Sequence, residues 1–148
     1  MIRVSKAAVF VLALALAGAA RAGSDEEPTV TFSRPAERHA GCFVESIRLP
    51  AEATLRLPER ALVAFTVEES GRIADVVADA DGLAILETQL RGALSRCAWT
   101  PAADAHGAPM SVRVRMPVRF DLEQRSGELA AVARVEEPSF SPVRLASR

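Results

Sequence analysis

The sequence predicts an α+β fold of two layers, with one main helix packed on a small antiparallel sheet in the order β-β-α-β. Three observations predict it. Residues 61–67, "ALVAFTV", and 73–80, "IADVVADA", are runs of strand-forming residues joined by the Gly-bearing "EESGR", which is the pattern of a β-hairpin. Leu83, Leu86, Leu90, Leu94 and Cys97 then recur at steps of three and four, forming one stripe of an amphipathic helix. Last, Val112, Val114, Met116, Val118, Phe120 and Leu122 alternate with Arg113, Arg115, Pro117, Arg119 and Asp121. A period of two over that length predicts a strand with one face on a core and one in water.

The chain opens differently from the fold that follows. Arg3 and Lys6 precede an unbroken apolar run from Ala7 to Leu16, and Ala20-Arg21-Ala22 is a small-x-small site. Residues 1–22 therefore read as a secretory signal peptide, with a retained anchor as the alternative. The apolar run is shorter than the roughly 20 residues that span a bilayer, and no second such run follows. Removal of the signal leaves roughly 126 residues, one domain of ordinary size. Lys6 is the only lysine and Tyr is absent, while Lys+Arg 18 against Asp+Glu 19 leaves no basic excess for nucleic acid.

Residues 23–34 begin with the acidic "GSDEEP" and read as a flexible linker, with Val30 to Phe32 a short extended piece. The domain is expected over 35–123. From Pro35 a helix is possible but Gly41 interrupts it, and Pro50 and Pro58 bracket a helical turn or an irregular edge segment. Gly71 supplies the positive φ that the hairpin turn requires. Asp81 is a candidate cap for the helix, and Glu87 and Arg91 stand at the i,i+4 spacing of an ion pair. Trp99 covers the end of the same core, and Pro101 stops the helix. Residues 102–109, "AADAHGAP", are a surface loop. In the last strand Pro117 removes a ladder donor, which calls for an edge position or a bulge. Beyond it, 124–148 shows no sustained periodicity and reads as a disordered tail, with a short helix possible at Glu128 to Val135.

The chemistry-bearing residues are few. Cys42 and Cys97 are the two cysteines, and an even count in an exported chain favours a disulfide between them. Two free thiols, or a nucleophile paired with His106 or His39, are the alternatives. Their spacing does not suit a zinc site, and a lone loop histidine such as His106 is ordinarily just solvated. No phosphate-cradling Gly loop and no paired carboxylates are evident, so neither metal nor cofactor is expected. The arginine row has two readings: a solvated face paired with Glu68, Asp75 or Asp79, or a basic stripe for an acidic partner.

Taken together, "LVAFTVEESGRIADVVADADG" and "LETQLRGALSRCAWTPAADAHGAPMSVRVRMPVRFDL" resemble the C-terminal domain of TonB-type energy transducers and the related AgmX/PglI-type domains, over about residues 59–122. The resemblance rests on Phe65, Val67, Glu69, Gly71 and Ile73 in the hairpin and on Trp99, Pro101 and Ala102 after the helix. It continues through the Gly107 and Pro109 turn to Pro117, Val118, Phe120 and Leu122 in the closing strand. Cys97 replaces an aromatic, the opening Tyr-Pro is missing, and Glu59 stands where Gly is usual. No Pro-rich spacer joins the domain to a membrane helix.

The fold that the resemblance implies stands beside the long Arg-alternating strand from Ser111 to Glu123, with Pro117 inside it. Together they lead to the expectation of a protein that binds an extended segment by β-strand addition at an exposed edge of that strand. Combined with the signal, the expectation is a non-enzymatic interaction module of the cell envelope, periplasmic or secreted. Its partner would be an envelope protein with an extended segment, read by Arg113, Arg115 and Arg119, a row that suits an acidic one. Gly71, Trp99, Pro101, Pro117 and Phe120 are expected to be structural. A membrane-retained transducer for outer-membrane transport and a small secreted Cys/His hydrolase are the alternatives.

Overall fold

A computed structural model describes residues 30–144. The expected signal peptide at 1–22 and most of the 23–34 linker lie outside the described residues. The described chain runs β1 (Ala36–Glu37), α1 (Cys42–Ser46), α2 (Ala51–Thr54), β2 (Arg60–Val67), β3 (Ile73–Asp79), α3 (Ala84–Arg96), β4 (Trp99–Thr100), β5 (Ala102–Ala103), β6 (Pro109–Met110), β7 (Val112–Arg125), β8 (Glu128–Val135) and β9 (Ser139–Pro142). It is an α+β fold with one main helix. The principal sheet is antiparallel in the order β3-β2-β7-β8, with β9 also paired to β7.

The expected hairpin and closing strand form this sheet's centre. All of β2 pairs with β7, from Arg60 opposite Arg119 to Val67 opposite Val112. That register puts Ala61, Val63, Phe65 and Val67 on the same face as Val112, Val114, Met116 and Val118. All eight are buried, and Leu86, Leu90, Ala93 and Leu94 of α3 close over them. Trp99 completes this core edge-on to Phe65, with centroids 5.0 Å apart. Phe120 is likewise buried.

Gly71 has φ 82°, and its turn is closed by the Gly71 amide donating to the Glu68 carbonyl at 2.8 Å. A Cβ there would stand 2.5 Å from the Trp99 carbonyl oxygen, so this glycine is required by close approach as well as by φ. Pro101 packs against the same turn.

Several expectations need correction. Asp81 caps nothing by its side chain: the residue preceding α3 is Leu83, with no side-chain cap. Glu87 and Arg91 turn instead to backbone groups within and just beyond β3, Glu87 accepting from the Ala80 amide at 3.4 Å and Arg91 donating to the Val76 carbonyl at 2.5 Å. The helix considered at Pro35 begins only after Gly41, and Ala36–Glu37 instead pairs with Trp99–Thr100.

The largest correction concerns the tail. Residues 124–144 complete β7 and supply β8 and β9, and β8 is a strand where a helix was considered. Ser126 and Gly127, with φ 51° and 87°, make a two-residue hairpin loop of the kind that matches strand twist. β8 then runs back along β7 from Arg125 opposite Glu128 to Val118 opposite Val135.

Pro117 is correspondingly not at an edge. The N–H and C=O of one strand residue point to the same neighbour. The Pro117 carbonyl accepts from the Glu136 amide at 3.0 Å, so its missing donor faces the β8–β9 link. There β8 has ended at Val135 and β9 has not begun. The proline costs no ladder bond because no strand passes it on that side.

Candidate functional site

The cysteines form a structural joint. Cys42 and Cys97 are bonded to each other, tying α1 to the end of α3, and Arg96 Nη2 donates to the Ser46 carbonyl at 2.6 Å beside the bridge. Glu37 Oε1 accepts from the Phe43 amide at 3.2 Å, which satisfies a donor at the start of α1, and Phe43 is fully buried. The bridge removes the Cys97 thiolate that a Cys/His nucleophile would need. His39 and His106 are both exposed, on separate loops. His106 lies in a turn organised by Asp104, whose Oδ1 accepts from the amides of His106 (2.8 Å) and Ala108 (2.9 Å). Those backbone bonds, with Ala108 first and His106 next, hold the Asp104 carboxyl below its ordinary range. Among the described residues no three His, Cys, Asp or Glu side chains group as metal ligands.

The arginine row lies on the sheet face turned away from α3, and two of its members are engaged. Arg113 Nη1 donates to the Asp75 carbonyl at 2.9 Å and to Thr66 Oγ1 at 3.4 Å. Thr66 in turn donates to the Asp75 carboxylate at 3.3 Å. Arg119 pairs with Asp121 at 3.0 Å, and the pairing continues through Arg134 to Glu123 and Arg125. Arg60, directly opposite Arg119, turns to Glu136 at 3.1 Å. Of the acids expected to answer the row, Glu68 pairs with Arg72. Arg115 is exposed and has no ion pair among the described residues.

Strand addition needs a free edge, and β7 has none: β2 lies on one side, β8 and β9 on the other. Three outer edges remain. At β3 the register shifts opposite β2, Asp75 takes φ 50°, and Arg91 occupies the Val76 carbonyl. A bulged, side-chain-capped edge is a poor template. At β9 the Val143 amide bonds the Ser111 carbonyl, which turns Ser139 and Ser141 toward β7 and leaves Phe140 and Pro142 facing out. Proline there presents no donor.

β8 differs. Since Glu136 bonds inward, so do Glu128, Ala130, Val132 and Arg134, while the amides and carbonyls of Leu129, Ala131, Ala133 and Val135 point away from the sheet. None of these groups has a hydrogen-bond partner among the described residues. Leu129 is 59 % exposed and Val135 37 %. The result is a straight, proline-free, largely apolar edge. The Ser126-Gly127 pair was the sequence signal that could have revealed it.

A cleft of about 380 Å³ lies between the Pro35–Val44 segment and the sheet, walled by Trp99, Val114, Met116 and Phe140. Its one ionisable lining residue is Glu37, already committed to the Phe43 amide. It brings no nucleophile and base together. Comparison with protein-family models, with curated proteins and with solved structures finds no match for this chain.

Proposed function

We propose that the protein is an exported, non-enzymatic interaction module of the cell envelope that binds an extended segment of another protein by strand addition along β8. The observation that carries this reading is the unpaired backbone of Leu129, Ala131, Ala133 and Val135 on the terminal strand of the sheet. Strand addition draws affinity from such backbone groups and specificity from alternate side chains. The small Ala131 and Ala133 leave room for larger apolar side chains of an incoming strand. The disulfide supports an oxidising compartment, as does the signal-like residues 1–22, and no described helix is long and apolar enough to cross a membrane. The resemblance to TonB-type C-terminal domains adds to the reading, with the docking strand moved from β7 to β8. An acidic bias in the partner rests on Arg115, the arginine of the row with no ion pair among the described residues, which stands opposite Ser139 of β9 on the same flank of β7 as β8.

The test is site-specific photo-crosslinking in cells from a photoreactive residue at Leu129, with Ala131→Pro as the blocked form. That proline removes an outward donor and leaves the β7–β8 ladder intact. A partner crosslinked through an extended segment, and lost with the proline, is the expected result. Equal crosslinking from both forms would overturn the assignment to β8, and Arg115→Glu separates charge preference from edge pairing.

A further inference from the structure

The strand that presents the free edge is complementary to itself. We propose that β8 pairs antiparallel with β8 of a second copy about a two-fold axis at Ala131, joining the two sheets into one. The inference rests on the openness of β8 that underlies the proposed function, and goes beyond it in giving that edge a second occupant, which competes with the envelope segment for the same backbone groups.

Three features select this pairing. In an antiparallel pair the residues facing the partner must meet residues that also face it. Centring on Ala131 sets Leu129 opposite Ala133 of the second copy, and Ala131 opposite itself. About six backbone hydrogen bonds follow from those three pairs. Next, the exposed Leu129 is laid against a small residue on the face it shares with Val135.

The charges supply the third feature. On the other face this register sets Glu128 opposite Arg134 of the second copy, twice by symmetry. Within one chain the cluster Arg119, Asp121, Arg134, Glu123 and Arg125 holds three cations and two carboxylates. Glu128 has no ion pair among the described residues and is exposed. The second copy's Glu128 thus supplies the missing carboxylate. Centring on Val132 instead opposes Glu128 to Glu136, and centring on Ala133 opposes Glu136 to Ala130. Like charges directly opposite are unfavourable, which disfavours the Val132 centre, while the Ala133 centre leaves Arg134 opposite Val132 and forms no charge pair. Of the three, only the Ala131 centre opposes Glu128 to Arg134.

The full mature chain is examined by sedimentation equilibrium from about 1 µM to 1 mM, a range suited to an interface at the small end of the known sizes. The wild type is expected to show a monomer–dimer equilibrium. Ala131→Pro should be monomeric throughout. Glu128→Arg should weaken the dimer about tenfold at low salt, because two opposed pairs turn from attractive to repulsive, and less at high salt. Circular dichroism and retention of the Cys42–Cys97 bridge report folding, and Glu128→Arg keeps the test decisive if the proline variant misfolds. Oxidative crosslinking of single-cysteine additions reads the register, with Ala131→Cys bridging faster than Val132→Cys or Ala133→Cys.

A wild type that stays monomeric to 1 mM, a dimer indifferent to Glu128→Arg, or faster bridging at 132 or 133 would overturn the proposal. A monomeric wild type that still crosslinks a partner through Leu129 would sink the dimer alone. A dimer that crosslinks nothing but itself would sink the envelope partner alone.

Discussion

Breaking the Cys42–Cys97 bridge should remove about 4 kcal/mol of stability. The two residues are 55 apart in sequence, and closing a loop of that length restricts the unfolded chain by about that amount on the chain-entropy model. The loss also has a local address. α1 has only five residues, far below the dozen or so at which an isolated helix becomes marginal in water. Its position therefore depends on Phe43, on the Arg96 bond to Ser46 and on the bridge. Against a typical total of about 5–15 kcal/mol, the change takes a large part of the whole. The assay is urea unfolding of the oxidised protein beside Cys42→Ala/Cys97→Ala. With a urea slope of about 1.5 kcal/mol per M, the midpoint should fall by roughly 2–3 M. A single Cys97→Ala change should cost slightly more than Cys42→Ala, since Cys97 is buried and leaves a small void. A loss below about 1 kcal/mol in the double variant would refute the reasoning, because it would mean that the unfolded chain is already restricted or that α1 is held without the crosslink.

Gly71→Ala should destabilise by about 2–4 kcal/mol in the same assay, because positive φ and a backbone clash act together. Gly82→Ala, at φ 77° with nothing within 4 Å of the added carbon, should cost only about 1 kcal/mol; equal losses would deny the close approach to Trp99. Asp104 has its folded carboxyl pKa lowered, so its contribution to the 104–108 turn is full above the ordinary value of 3.8 and is lost as pH falls through the lower folded value. The His106 and Ala108 amide resonances should therefore titrate with a midpoint below 3.8. N-terminal sequencing of the envelope form should begin at Gly23 if Ala20-Arg21-Ala22 is cleaved, whereas a chain starting at Met1 or Ile2 would favour the membrane-retained alternative.

The elements that could be read in the sequence are those whose burial is strictly periodic. The hairpin, α3 and the alternating strand each bury one face of a regular element, so the pattern of large apolar residues carries the assignment. β8 does not have that property. Its residues "ELAAVARV" are half-buried in the middle and exposed at both ends, and its alanines fall on both faces, so no period of two emerges. Pro138 and Pro142 interrupt the segment further. Pro142 in fact sits with its donorless nitrogen on the outward side of β9, where a proline is compatible with a strand. The physical premise about Pro117 was correct and its location was not, because a gap between two strands on one flank satisfies the same requirement as an edge. The arginine face was legible from alternation alone. Which strand forms the rim was not, since it depends on how the C-terminal residues return across the sheet.

An edge serves strand addition only if the strand presenting it keeps one register, because a slip of one residue would exchange every side chain between faces. β8 is poorly equipped to hold its register by packing: Ala130, Ala131 and Ala133 offer little shape. Two other devices do so. The two-residue loop at Ser126 and Gly127 fixes the pairing of Arg125 with Glu128, and Arg134 reaches across to both Asp121 and Glu123 at 3.2 and 2.7 Å. Exposed pairs of this kind add little to overall stability, yet a slipped β8 would separate both at once. The outward row of charge, read either as a solvated face paired across the sheet or as a stripe for an acidic partner, thus acts at Arg119, joined by Arg134, on the chain itself. It holds in place a strand whose other side is unpaired. Such an edge is also a template for aggregation if left bare, and β3 and β9 are both protected against that outcome by bulge, side chain or proline. That β8, of the three outer strands of this sheet, keeps an unbroken register with its outward backbone groups unpaired, although α1 and α2 lie beside it, is the physical reason for assigning it an occupant.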